Sequence, residues 1–124
     1  MLKEGLSFTS KMNVTTEKTA LAIGSGDLPI LATPALLALM ENAAMNAVAH
    51  ELEDGQSTVG GEISSSHVKP TGLGKQVSAT ATLIKVEGRK LYFRVIAHED
   101  GKLLGEGTHL RFVVDKVRFL SKLT

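Results

Sequence analysis

Apolar residues crowd one stretch of the chain and then, further on, alternate with polar ones. Between Ala35 and Val48 only Glu41, Asn42 and Asn46 are polar, and Ala, Leu and Met, all good helix formers, dominate the rest. Thr33 suits the N-cap of such a helix and Pro34 its first turn, while Asp54-Gly55 supplies a stop beyond its end. The pattern predicts one helix, apolar around most of its circumference and therefore buried. After Gly55 the period changes to two, and Thr58 to Val68, Gln76 to Val86, Leu91 to His98 and Leu103 to Val114 read as strands. Val77, Ala79, Ala81 and Leu83 alternate with Ser78, Thr80 and Thr82, and Leu91, Phe93, Val95 and Ala97 alternate with Tyr92, Arg94, Ile96 and His98. Turns at Glu87-Gly88 and Asp100-Gly101 join the last three strands into a meander, since Asp-Gly fits a tight hairpin. Upstream, Leu6 to Met12 and Thr19 to Ile23 are weaker strand candidates.

These elements imply an α+β fold, one long helix against an antiparallel sheet of about five strands. A helix apolar on nearly every side must be covered on nearly every side. Either the sheet curls around it or a second copy of the chain closes over it. A length of 124 residues allows one domain, residues 1–124. Fourteen Lys and Arg against 13 Asp and Glu, with only 4% aromatics, give no basic excess of the kind nucleic-acid binding uses. The absence of cysteine excludes disulfides, thiolate metal sites and a Cys nucleophile. The apolar run from Leu28 to Ala49 is broken by Thr33, Pro34, Glu41, Asn42 and Asn46, too polar to span a membrane. MLKEGLSFTSK lacks the apolar stretch of a signal peptide, so a cytoplasmic location is expected.

Three residues point to chemistry. On a helical wheel Glu41 neighbours Leu37, Ala38, Ala44 and Met45, whereas Asn42, Asn46 and His50 form a polar stripe of their own. Glu41 is therefore expected as a carboxylate embedded in an apolar face, where desolvation raises its pKa toward that of a general base. His67 shares strand parity with Val59, Gly61, Ile63 and Ser65, the more apolar side and the one expected to meet the helix. Thr33 reads first as a helix cap. In an unbroken helix it stands about 12 Å from Glu41 along the axis, so a site using both needs His67, a substrate, a distorted helix start or a second chain between them. Lys69-Pro70-Thr71-Gly72-Leu73-Gly74 is a short glycine loop that matches no phosphate-binding motif and reads as a turn. His98 and His109 have no carboxylate or second His at ligand spacing, so no metal site is expected.

Three segments, LATPALLALMENAA, VGGEISSSHVKPTGLG and GEGTHLRFVV, are similar in sequence, order and spacing to the hot-dog-fold thioesterases of the fluoroacetyl-CoA thioesterase-like family. The resemblance covers residues 31–114. It implies a sheet wrapped around the central helix, two protomers joined edge to edge as a homodimer, with further pairing into tetramers left open, and sites at the dimer interface that hydrolyse acyl-CoA thioesters. The family's catalytic Thr, Glu and His are matched by Thr33, Glu41 and His67 at the same intervals. Its active-site glycine is matched by Gly60, a backbone candidate for the oxyanion. His109 and Arg111 also fit the pattern, without an assigned role. Pro70, Gly72 and Gly74, with Lys69 or Lys75 nearby, are the candidates for contacting the coenzyme A of the substrate, and no separate cofactor is implied. In the fluoroacetyl-specific enzyme, phenylalanines before the Thr form a hydrophobic lid. Here GSGDLPIL carries no aromatic residue, so a different acyl group, short or branched, is expected. The competing reading is a non-catalytic hot-dog module that binds an acyl-CoA or acyl carrier. Hydration of an acyl thioester ranks last, because the Asp-x-x-x-x-His pair of such hydratases is not evident.

Overall fold

The computed structural model describes residues 1–124. In order along the chain come β1 (Ser7–Asn13), α1 (Ala20–Ile23), α2 (Thr33–Val48), β2 (Gln56–Ser65), β3 (Gln76–Glu87), β4 (Lys90–Glu99), β5 (Lys102–Asp115) and α3 (Lys116–Ser121). The strands form one antiparallel sheet in the order β1-β3-β4-β5-β2, curled around α2. The expected meander of β3, β4 and β5 forms in register, with Ala81 opposite Val95 and Phe93 opposite His109. Asp100 and Gly101 both take positive φ, 51° and 78°, at the β4–β5 turn, as a tight Asp-Gly hairpin requires.

Leu36, Met40, Ala43, Ala44 and Val48 of α2 are fully buried against Val77, Ala79, Ala81, Leu83, Leu91, Phe93 and Val95 of the sheet. The alternation read from β3 and β4 thus assigns the buried face correctly. The helix packs mainly over β3 and β1 and only lightly over β4 and β2. Its other side, including Ala38, Asn42 and Met45, stays exposed in the single chain. The concave face of β5 and β2 is left partly open beside it, and this is where the polar residues collect. No helix is long and apolar enough to cross a membrane.

Two sequence expectations are corrected. Residues 19–23, expected as a strand, form one helical turn. Thr19 accepts a hydrogen bond from the Ala22 N–H at its start, and Gly24 closes it with φ +90°. A capping threonine followed five residues later by a left-handed glycine satisfies the ends of such a turn, and that local pairing outweighs strand propensity. The strand expected from Thr58 to Val68 runs instead from Gln56 to Ser65, with a bulge between Gly60 and Glu62. The extra residue shifts the parity. Thr58 and Gly60 lie opposite Val113 and Arg111, Ile63 lies opposite His109, and Val59 lies opposite Phe112. His67 therefore shares its side with Ile63 and Ser65, as expected, but Val59 belongs to the other face.

Candidate active site

Thr33 is not the cap of α2. The N-cap is Ala32, which has no capping side chain, and Thr33 is the first helical residue. Its hydroxyl is turned to His67 instead, with Oγ1 2.7 Å from Nδ1. Pro34 occupies the first turn, where its missing N–H costs nothing. His67 lies just beyond β2, on a segment whose neighbours Ser66 and Val68 donate their N–H groups to the Glu106 and Leu104 carbonyls. The histidine is thereby fixed to β5 from both sides. Its Nε2 is buried and has no hydrogen-bond partner in the chain. Burial holds the His67 pKa below the ordinary 6.5, partly offset by the backbone of Lys69. A neutral imidazole with one nitrogen engaged and the other free can accept or relay a proton.

Glu41 sits two turns further along α2, over β2 and β5. Its carboxylate lies 3.8 Å from Arg111 Nη1, and its side chain keeps 42% of its surface exposed against 7% for Arg111. The expected burial of Glu41 is therefore corrected. Its helix neighbours Ala38 and Met45 lie on the side of α2 that the sheet does not reach, so an apolar surrounding on the helical wheel is not a buried one. Gly60 explains how the carboxylate comes so near the sheet. A Cβ at position 60 would stand 2.6 Å from Glu41 Oε2, closer than such contacts occur. No hydrogen-bond donor of the chain reaches the Glu41 carboxylate, and no bond joins it to Thr33 or His67. In one chain the Thr33–His67 pair and Glu41 are two half-sites rather than a linked triad.

Arg111 is the residue around which the Glu41 half is built. Its Nε–H donates to Thr58 Oγ1 and Nη2–H to the Thr58 carbonyl, both at 2.9 Å, and Nη1–H donates to His109 Nε2 at 3.1 Å. Because a guanidinium only donates, His109 Nε2 must carry the lone pair. His109 Nδ1 lies 2.8 Å from the Glu62 carbonyl, which only accepts, so the proton is on Nδ1. His109 is thus fixed as one neutral tautomer. Burial is the main cause of its lowered pKa, reinforced by the Arg111 charge and opposed by the Glu62 carbonyl and Glu41. Sequence reasoning assigned no role to His109 or Arg111 and did not single out Thr58. The available signal was parity, because His109 and Arg111 occupy the same side of their strand as Val113, where an apolar residue is expected.

The glycine loop serves the fold before any ligand. The Gly74 N–H donates to the Val14 carbonyl, and Gly72 bridges to Ile30, so the loop ties the segment before Thr33 to the sheet. Pro70, Gly72 and Gly74 all remain exposed.

The two lowered histidines set the sign of a pH effect. Both bind a proton less readily folded than unfolded, so the stability they provide is complete above the unfolded value of about 6.5 and is lost as pH falls below it. Urea midpoints are expected to drop between about pH 7 and about pH 5. The variant His109→Asn, less stable near neutrality, is expected to show a shallower drop; denaturant titrations over that range check both.

Comparison with known proteins agrees with this architecture. The profile of the fluoroacetyl-CoA-specific thioesterase family matches residues 14–117. The fluoroacetyl-CoA thioesterase of Streptantibioticus cattleyicolor is 39% identical over 94 residues, 76% of this chain and 68% of that protein. A crystal structure of the fluoroacetyl-CoA thioesterase superposes with a TM-score of 0.92 at 34% identity, covering 99% of this chain and 96% of the other. A thioesterase superfamily member from Thermus thermophilus superposes at 0.91 with 26% identity, covering 99% and 91%. The chain belongs to the fluoroacetyl-CoA-specific thioesterase family, thioester hydrolases built on the hot-dog fold.

Proposed function

We propose that the protein hydrolyses the thioester of a small acyl-CoA, using Glu41, His67 and Thr33, with coenzyme A as part of the substrate rather than as a cofactor. Glu41 carries the reading. It is a carboxylate with no internal hydrogen-bond donor, open to a water molecule, and 3.8 Å from a buried guanidinium across the space that Gly60 leaves free. Glu41 takes a proton from water as the water oxygen adds to the thioester carbonyl carbon, and the carbonyl electron pair moves onto its oxygen. When the tetrahedral intermediate collapses the C–S bond breaks and sulfur leaves as a thiolate. The proton held by Glu41 returns to it through a water relay that includes His67, since no bond joins Glu41 to His67 directly. A thiolate leaves readily, so no strong acid is needed at the sulfur. Backbone amides near Gly60 or at the start of α2 are suited to the developing oxyanion, where fixed donors act most strongly. Direct attack by Glu41 through an anhydride, and attack by Thr33, are the alternative first steps.

The two half-sites support a dimer. β2 ends the strand order and its outer edge is unpaired, which suits edge-to-edge joining with a second copy. Joined sheets would also cover the open side of α2 near Glu41 and bring side chains of the partner to the site. Pro70, Gly72 and Gly74, exposed on the His67 loop, are the proposed contacts for the coenzyme A moiety. Residues 24–31 carry the aliphatic Leu28, 57% exposed, and no aromatic ring, which favours a small acyl group other than fluoroacetyl.

Free-thiol release from a panel of acyl-CoAs tests the reading cleanly, because the chain contributes no thiol of its own. Glu41→Gln is expected to keep the fold and lose about 10²–10⁴ of kcat, the usual scale for a general base. Turnover absent on every acyl-CoA, while coenzyme A still raises the melting temperature, would leave a binding module instead. Gly60→Ala is expected to displace the carboxylate and cost about 10–100-fold in kcat/KM; full activity would separate Gly60 from the site. Sedimentation at micromolar concentration is expected to give a dimer, and a monomer that still turns over would end the shared-site proposal.

A further inference from the structure

Behind the Thr33–His67 pair lies a second polar cluster that the mechanism above does not use. Glu99, the last residue of β4, is half-buried, its side chain 15% exposed. One oxygen, Oε1, takes both Lys69 Nζ at 3.0 Å and Thr71 Oγ1 at 3.2 Å. Thr71 keeps only 1% of its surface exposed, so its hydroxyl depends on this acceptor. The same residue accepts the Leu31 N–H on its carbonyl at 2.9 Å, and the next residue, Gly72, bridges to Ile30. Leu31 is two residues before Thr33.

A chain of bonds therefore runs from β4 through Glu99 and Thr71 to the segment that delivers Thr33. His67 reaches the same place by another route, through the bonds of Ser66 and Val68 to β5. The 2.7 Å bond between Thr33 and His67 closes a loop whose one side is anchored on β5 and whose other side is anchored on Glu99. We propose that Glu99 is a positioning residue, which through Lys69 and Thr71 sets the approach of the Thr33 hydroxyl to His67. This rests on the reading of Thr33 and His67 as working groups, and it adds a residue that bonds neither of them directly. Lys69 keeps the Glu99 carboxyl below its usual range, so the cluster stays charged near neutrality. A shift of an ångström in a reacting group can cost up to about 10²-fold, so a clamp three bonds away is sufficient to register in kcat.

The test pairs turnover with spectroscopy of the imidazole. Glu99→Ala is expected to lower kcat about tenfold; a change in KM alone, reporting only the adjoining coenzyme A loop, overturns the clamp. In a Thr33→Val background the same substitution is expected to change kcat by less than about twofold, because the contact it positions is already gone. A purely structural Glu99 predicts equal losses in both backgrounds, and that result overturns the proposal. Imidazole nitrogen resonances, assigned by comparison with His67→Asn, provide a readout independent of activity. The His67 Nδ1 signal of Glu99→Ala is expected to move to the position it has in Thr33→Val. Should Glu99→Ala not fold, Glu99→Gln keeps an acceptor for Thr71 and removes the negative charge that Lys69 pairs with, and an intermediate shift is expected. A His67 signal in Glu99→Ala or Glu99→Gln that stays where the unaltered protein has it overturns the clamp. If the unaltered protein hydrolyses no acyl-CoA, the proposed function fails, while the nitrogen shifts still decide the role of Glu99.

Discussion

A guanidinium buried on the concave face of a sheet dictates much of what surrounds it. Removing an unpaired charge from water costs several kcal/mol even after relaxation, so Arg111 must be met on every side. Thr58 takes two of its N–H groups, His109 a third, and Glu41 supplies the only carboxylate within ion-pair reach. Each partner is constrained in turn. His109 can accept from Arg111 only as the Nδ1–H tautomer, which in turn requires the Glu62 carbonyl. Glu41 comes near across the space left at position 60, where a Cβ would stand 2.6 Å from its carboxylate. One charge thereby fixes a strand position, a tautomer, a glycine and the carboxylate that faces the open side.

The bulge in β2 is the backbone device that makes this compatible with the rest of the strand. Without an extra residue between Gly60 and Glu62, strict alternation would put Gly60 and His67 on opposite faces. With it, Thr58 and Gly60 face inward beside Arg111, and Ile63, Ser65 and His67 face inward further along. A single strand can then serve both the Arg111 cluster and the Thr33–His67 pair. Bulges next to active sites often re-aim a side chain in this way.

The two halves of the site also differ physically. The Thr33–His67 pair is closed within one chain, with an imidazole kept neutral by burial and one nitrogen unengaged. Glu41 is partly open, lacks hydrogen-bond donors, and lies between the uncovered flank of α2 and the sheet face that carries Gly60 and Arg111. A carboxylate of this kind is suited to hold a water molecule, and a neutral imidazole is suited to pass a proton onward. Thioester hydrolysis further needs fixed donors for the developing oxyanion, but no strong acid, since the sulfur leaves as a thiolate.

Much of this was legible in the sequence. Periodicity gave the long helix, the β3–β4–β5 meander and their buried faces, because side-chain direction in regular elements follows from position alone. The resemblance to a known family singled out Thr33, Glu41, His67 and Gly60 as candidates. What periodicity could not give was anything that depends on where α2 rests on the sheet. Glu41 looked buried because its helix neighbours are apolar, yet burial is decided by what covers the helix, and α2 lies toward β1 and β3. Thr33 looked like a cap because its type and position suit one, yet its hydroxyl found His67, a residue 34 positions away. The inward side of Arg111 was implicit in its parity with Val113, but the partners that make its burial tolerable come from β2, the β5 neighbour His109 and α2. Local rules fix where side chains can point, and only the packing of distant segments decides what they meet.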